Sequence, residues 1–438
     1  MSTLDSYVAE WKRAKQVRPG ASSLERISQT AFDAFLIHGF PTTREEEWRF
    51  TSVAPIADSA FALVTEPRTA GLDIAHLRLP GGPAAELVFV DGRYVAGLSQ
   101  VGSLPHGVRA ENLASAIATP DEALASYLTR VAPFDRSPFV ALNTAFLIDG
   151  ALVELAAGTI LQRPIHLLFL ATGRNNGRTT MAHPRVLTVL GANSQATIVE
   201  TYAGPSATGY FTNTVTEIVL AENAVLDHYM RQYEGTGAHH VGAIYARAQR
   251  SANCTLNAIN AGGALVRNDV FATLDGEGID CTLNGLYLAD EQRLVDNHTT
   301  IDHAQPHCAS HELYKGILAD RARGIFNGKI IVRPDAQKTD AKQTNRALLL
   351  SEDAQINTKP QLEIFANDVK CTHGAAVGQL DDEAMFYLRS RGLSAAHARQ
   401  LLIHAFAADV LNRLPLESIR ADVEFRLQQQ LTAKLRAA

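Results

Sequence analysis

Cys371-Thr372-His373 sets a thiol and an imidazole two residues apart, inside the run ANDVKCTHGAAVGQL at 366–380. Cysteine sulfur and histidine nitrogen together suit zinc, ferrous iron and iron–sulfur clusters. Two ligands hold such a metal weakly, and no second Cys/His pair lies nearby to close a four-ligand site. In an extended strand, side chains at i and i+2 share a face, so both groups can address one centre. The plain alternative is a small apolar thiol beside an exposed histidine.

A second group of candidates is DNHTTIDHAQPHCASHE, which carries His298, His303, His307 and His311 together with Cys308. Their spacings of 5, 4 and 4 would line a helix, but Pro306 and the β-branched residues argue against one. As strand residues they read as a surface stripe, with no role assigned. Cys254, Cys281 and Cys308 recur every 27 residues and are expected to stack as small inward-facing side chains. Several motifs are missing: no phosphate-binding G-x-x-x-x-G-K-[ST], no G-x-G-x-x-G after a strand, no H-E-x-x-H and no C-x-x-C. RGIFNGKIIV reads as two apolar runs about a turn at Asn327-Gly328. No complete catalytic constellation is present.

The elements that must position Cys371 and His373 form three regions: 1–78 helical, 79–370 mainly strands, and 371–438 helical. In the first, TAFDAFLIHGF has helical periodicity and stops at Gly39, and Thr43 and Glu46 have capping-box spacing. Asp91-Gly92 marks a hairpin, and 108–145 returns to helix. From 146 to 367 the texture is short Val/Ile/Leu/Thr runs between polar turns. Anchors at Ala196, Ala224, Cys254, Cys281, Cys308, Ala336 and Ala354 are separated by 28, 30, 27, 27, 28 and 18 residues, and NCTLN and DCTLN nearly repeat. Such a period is the mark of units that bury their apolar faces only against their neighbours, and units made of strands predict a parallel β-helix. Seven rungs would make a rod of roughly 30 Å, whose open ends need covers. The flanking helices are expected to supply them. After Asp381 and Asp382, candidate N-caps, helices return, with Leu401, Leu402, Ala405, Phe406 and Val410 expected on one buried face. An antiparallel sandwich would explain the strands but not the spacing.

The bulk properties narrow the setting. A chain of 438 residues with 46% apolar content can bury a large core, and a charge of −6 offers no general attraction to nucleic acid or anionic lipid. No apolar run approaches the roughly 20 residues of a membrane span. The polar, acid-bearing start lacks a secretion profile, and four cysteines without close pairs suit reduced thiols. A cytoplasmic protein is expected.

The run RGIFNGKIIVRPDAQKTDAKQTNRALLLSEDAQINTKPQLEIFANDVKCTHG, within a match over 313–393, resembles the SufB/SufD family of iron–sulfur cluster assembly proteins. GFPTTREEEWRFTS near the start and PIHLLFL at 164–170 extend the likeness over most of the chain. Cys-Thr-His-Gly is similar to the Cys-Ser-His-Gly run of the SufD branch, whereas the SufB branch carries Glu-His-Glu there. Asn367 stands where the family more often has Asp. The resemblance implies a right-handed parallel β-helix flanked by helical regions, and a non-catalytic scaffold. It implies rod-to-rod pairing with a SufB-type paralogue, binding of a SufC-type ATPase through the C-terminal helices, and sulfur from a cysteine desulfurase system. The family's cluster site at the paralogue interface carries over to His373 as metal ligand, and to Cys371 as its neighbour or auxiliary ligand. A flavin is implied only for the assembled complex, and a homodimer for the isolated chain. The competing readings are a SufB-type principal scaffold, a β-helical polysaccharide lyase, and a homodimeric rod without metal function.

Overall fold

The structure is a computed structural model that describes residues 3–18, 22–119, 121–206 and 208–437. From Ile165 to Gly378 the chain winds as a parallel β-solenoid of about seven turns. Each turn contributes one strand to each of two facing sheets. The first ends with Leu294–His303, Arg323–Val332 and Gln355–Ile364, and the second with Ala309–Leu318, Asp340–Leu349 and Lys370–Gly378.

The stacking follows from the repeat. NCTLN lies directly on DCTLN, so that Cys254 pairs with Cys281, Leu256 with Leu283 and Asn257 with Asn284. Like residues one rung apart interlock: Asn284 Nδ2 donates to Asn257 Oδ1 at 3.0 Å, and Phe89, Phe169 and Tyr202 stack with centroids 4.8 and 5.0 Å apart. Corners are turned by single left-handed residues, among them Asn193, Asn223, Ser251, Glu291, Asp320 and Lys338. Asparagine and aspartate tolerate that conformation best. The bore between the sheets is filled by Ile198, Leu226, Leu256, Leu283, Ile301 and their neighbours.

Helices Thr3–Val17, Ser22–His38 and Pro138–Ala145 pack on the outer face of the first sheet, where Trp11 stacks on Phe32 at 4.2 Å and Phe139 meets Phe211. Arg185, fully buried, is held there by Glu217, which also accepts from the backbone N–H of Thr129, Val131 and Ala132. The helices Ala395–Leu411 and Glu417–Ala437 lie along the outer face of the second sheet, with Ile403, Ala407, Val410 and Leu411 against Ile259, Leu286 and Ile317. Lys315 Nζ donates to Phe406 O at 2.7 Å and pairs with Asp409 at 2.5 Å. No helix of the described residues is long and apolar enough to cross a membrane.

The structure corrects several expectations. The C-terminal helices run beside the rod and leave its last rung open. Their buried face is Ile403, Ala407, Val410 and Leu411, while Leu401 and Ala405 face outward. Asn327-Gly328 sits inside the continuous strand Arg323–Val332. Glycine is used there because a Cβ would fall 2.2 Å from Gln343 Nε2. The capping box is shifted by one residue: Glu45 Oε1 accepts from Thr42 N, while Glu46 pairs with Lys359. The 18-residue step to Ala354 is half a turn, since Ala354 precedes a strand of the opposite sheet; the next full step ends at Ala366, buried beside Ala336.

Candidate functional site

Strand register decides where the thiol and imidazole point. Lys370–Gly378 pairs with Asp340–Leu349, setting Cys371 on Ala341 and His373 on Gln343. Ala341, Gln343, Asn345 and Ala347 are buried in the bore, whereas Lys342 and Arg346 face outward. Alternation therefore puts Cys371 and His373 on the bore side of the last rung. With no further strand above them, Cys371 is half-buried and His373 exposed. The rim around them is apolar in part: Ile364, Phe365 and Val377 are 40%, 61% and 49% exposed. Pro360, within Gln355–Ile364, fits this position, because a residue without an N–H is tolerated on an edge strand.

Beneath the rim the bore turns polar. Gln343 donates Nε2 to Glu312 at 2.8 Å, and Gln343 Oε1 is buried without a partner among the described residues. Burial pushes the Glu312 carboxyl up to about 7, against the opposing pull of Thr299 and Gln343. Burial and then Asp340 push the Cys371 thiol up, opposed by the Ala341 backbone. A metal binding there has to displace a proton. Among the described residues no cluster of three or more His, Cys, Asp or Glu is placed to hold a metal ion. Within this chain Cys371 and His373 stand at the rim with no third such side chain grouped with them among the described residues.

The four histidines of the second candidate group do not form one stripe. His303 points into the bore, bonded to Ser310 Oγ at 2.9 Å, and burial pushes its imidazole down to about 4. His307 occupies a corner with φ 59°, and His311 faces outward on the other sheet. His298 lies on the outer face of the first sheet, 3.0 Å from Asp296 and 3.3 Å from Glu47. Burial pulls the His298 imidazole down, but Asp296 and Glu47 outweigh it and raise it, with Arg267 opposing. The segment Glu45–Thr51 is thereby strapped across the sheet, with Arg267 over the Trp48 ring at 4.1 Å and Thr51 bonded to Asp296 at 2.5 Å. All three recurring cysteines are buried in the same core, as expected, and Cys254 stacks on Cys281, but Cys308 is out of register, two residues before Ser310, which pairs with Cys281.

Glu312 and Gln343 were not identified from the sequence. Their signal is arithmetic: Leu256, Leu283, Glu312, Gln343 and His373 form one inward column, each in register with the last. One rung before Leu256 the same column holds His228, buried and bonded to Glu200 at 2.9 Å, so polar residues recur in it.

These features define a class: a parallel β-solenoid with flanking helices, whose final rung carries a thiol and an imidazole at an open edge. Residues 170–406 match the SufBD core domain of the SUF iron–sulfur cluster assembly system, and residues 1–167 match the SufBD N-terminal region. An iron–sulfur cluster assembly SufBD family protein of Synechocystis is 35% identical over 405 residues, covering 90% of this chain and 87% of that protein. The iron–sulfur cluster assembly protein SufD of Escherichia coli is 31% identical over 405 residues, covering 92% of each. SufD of Bacillus subtilis is 27% identical over 293 residues, 65% of each. The chain belongs to the SufBD family of iron–sulfur cluster assembly proteins.

Proposed function

We propose that this chain is a SufD-type, non-catalytic scaffold subunit of the reducing cytosol, which pairs with a SufB-type paralogue and a SufC-type ATPase to assemble iron–sulfur clusters. Its last rung docks against the paralogue's rod. His373, with Cys371 beside it, supplies part of the ligand set for a nascent cluster that the paralogue completes. The cluster is cargo, built from iron and from sulfur supplied by a cysteine desulfurase system, and a half-site releases it more readily than a closed four-ligand cage would.

The observation that carries this reading is the open rung itself. Unpaired strand edges are normally blunted or covered, and an uncovered one with apolar rim residues is suited to strand addition by a partner. Helix Asp382–Ser390 leaves Phe386 and Tyr387 exposed at 75% and 57%, and Ala395–Leu411 leaves Leu401 exposed at 49%, an apolar surface suited to the ATPase. ATP-driven closure of two such ATPases would pull on these helices and open the rod-to-rod interface.

The test is co-expression with a SufB-type paralogue and a SufC-type ATPase. Recovery of all three together is expected, and Val377→Lys on the rim should release the paralogue while the ATPase stays bound. Recovery of this chain alone, or pairing indifferent to the rim substitution, would refute the reading.

A further inference from the structure

The strongest unexplained feature beside the half-site is a buried carboxamide with nothing to accept. Gln343 is 1% exposed, and its Nε2 is committed to Glu312 at 2.8 Å. An ionised carboxylate only accepts, so above pH 7 an N–H faces it and Oε1 is left over, buried and without a partner among the described residues. An unsatisfied buried acceptor is a standing cost to the fold. The fold nevertheless makes room for this side chain, because Gly328 across the bore has no Cβ to meet it. Directly above Gln343, one rung of about 4.8 Å further on, stands His373. A histidine that binds a metal through one ring nitrogen needs an acceptor for the N–H of the other.

We propose that Gln343 is the positioning residue of the half-site: its free Oε1 is the acceptor for the Nδ1–H of His373 when the imidazole turns toward the bore, fixing the tautomer that presents Nε2 at the rim. Glu312 holds the carboxamide in the required sense, with Nε2 inward and Oε1 toward the rim. Nδ1 is the ring nitrogen closer to the backbone, so it reaches a neighbour on the adjacent rung while Nε2 extends outward. The inference rests on the reading of His373 as a ligand. Its test needs neither partner nor cluster, so the two can fail separately.

The experiment is nitrogen-15 NMR of the full-length chain labelled at histidine, above the imidazole titration range, with His373 assigned by its loss in His373→Ala. Neutral histidine free in water favours the Nε2–H tautomer. The wild-type chain is expected to show His373 mainly as Nδ1–H, and Gln343→Leu to return it to Nε2–H. Gln343→Met, which keeps the length and apolar volume of the side chain, should do the same, and serves if the leucine variant does not fold. Titration of the same chains with cobalt(II), a spectroscopic probe for iron, should show affinity falling about 10–100-fold in the variants. A wild-type His373 already in the Nε2–H form, or a tautomer indifferent to both substitutions, would overturn the proposal.

Discussion

Replacing Glu312 by glutamine should make the protein more stable at pH 8 and less dependent on pH. In the fold this carboxyl titrates at about 7, and in the unfolded chain near 4.5. The folded value is the higher one, so below about 4.5 both states hold the proton and the contribution of Glu312 is fully present. Between 4.5 and 7 only the folded state holds it, and stability drains away as pH rises. The gap of 2.5 units, at about 1.4 kcal/mol per unit, amounts to about 3 kcal/mol lost by pH 8. Glutamine keeps an oxygen for Gln343 Nε2 and carries no charge to desolvate, so Glu312→Gln does not suffer this loss. Urea unfolding of both chains from pH 4 to 8.5 measures it. Taking the difference removes the opposite dependence of the buried histidines, His166, His183 and His303, whose imidazoles burial pushes down. The advantage of the variant should grow by about 1.4 kcal/mol per pH unit between 5 and 7 and then level off. A constant difference across the range would refute the reasoning, because it would mean that the carboxyl is not titrating in a desolvated bore.

Glu217→Ala leaves the Arg185 guanidinium buried and unpaired together with three backbone N–H groups, and should cost about 3–5 kcal/mol in chemical denaturation. Gly285→Ala would place a Cβ 2.1 Å from the Tyr314 ring, so the rung must shift, at a cost of about 1–3 kcal/mol read from the same assay. The His298 clasp on Glu47 should be fully formed below the ordinary histidine value and lost as pH rises through the raised folded one. Protection factors at Trp48–Thr51, with the intrinsic base-catalysed rise divided out, should then fall about fivefold, the loss of about 1 kcal/mol for a pair half open to solvent.

Much of the architecture was legible because a solenoid writes its register into the chain. NCTLN and DCTLN are alike because they occupy the same place on consecutive rungs, where their asparagines bond to each other. Left-handed corners such as Asn193, Asn223 and Asp320 supply the polar turn residues that separate the apolar runs. Other features were hidden because tertiary context decided them. Asn327-Gly328 has hairpin chemistry, but its glycine answers to the Gln343 carboxamide across the bore. Helical periodicity of Ala395–Leu411 indicated a buried face without indicating which one, since alanines at 398 and 407 are buried on it together with Ile403, Val410 and Leu411. The Cys-x-His pair was visible as a motif. Glu312 and Gln343 beneath it were not, because their meaning comes from a column assembled from strands 29 to 31 residues apart, and a polar residue in a strand looks ordinary until its column is known.

The most direct measurement takes the complex recovered with the paralogue and the ATPase and determines its iron and acid-labile sulfide, beside the same complex carrying His373→Ala. If the last rung lends its imidazole to a site that another subunit finishes, the variant complex keeps its subunit ratio and loses most of its cluster. An equal load of iron and sulfide in both would contradict the account at its root.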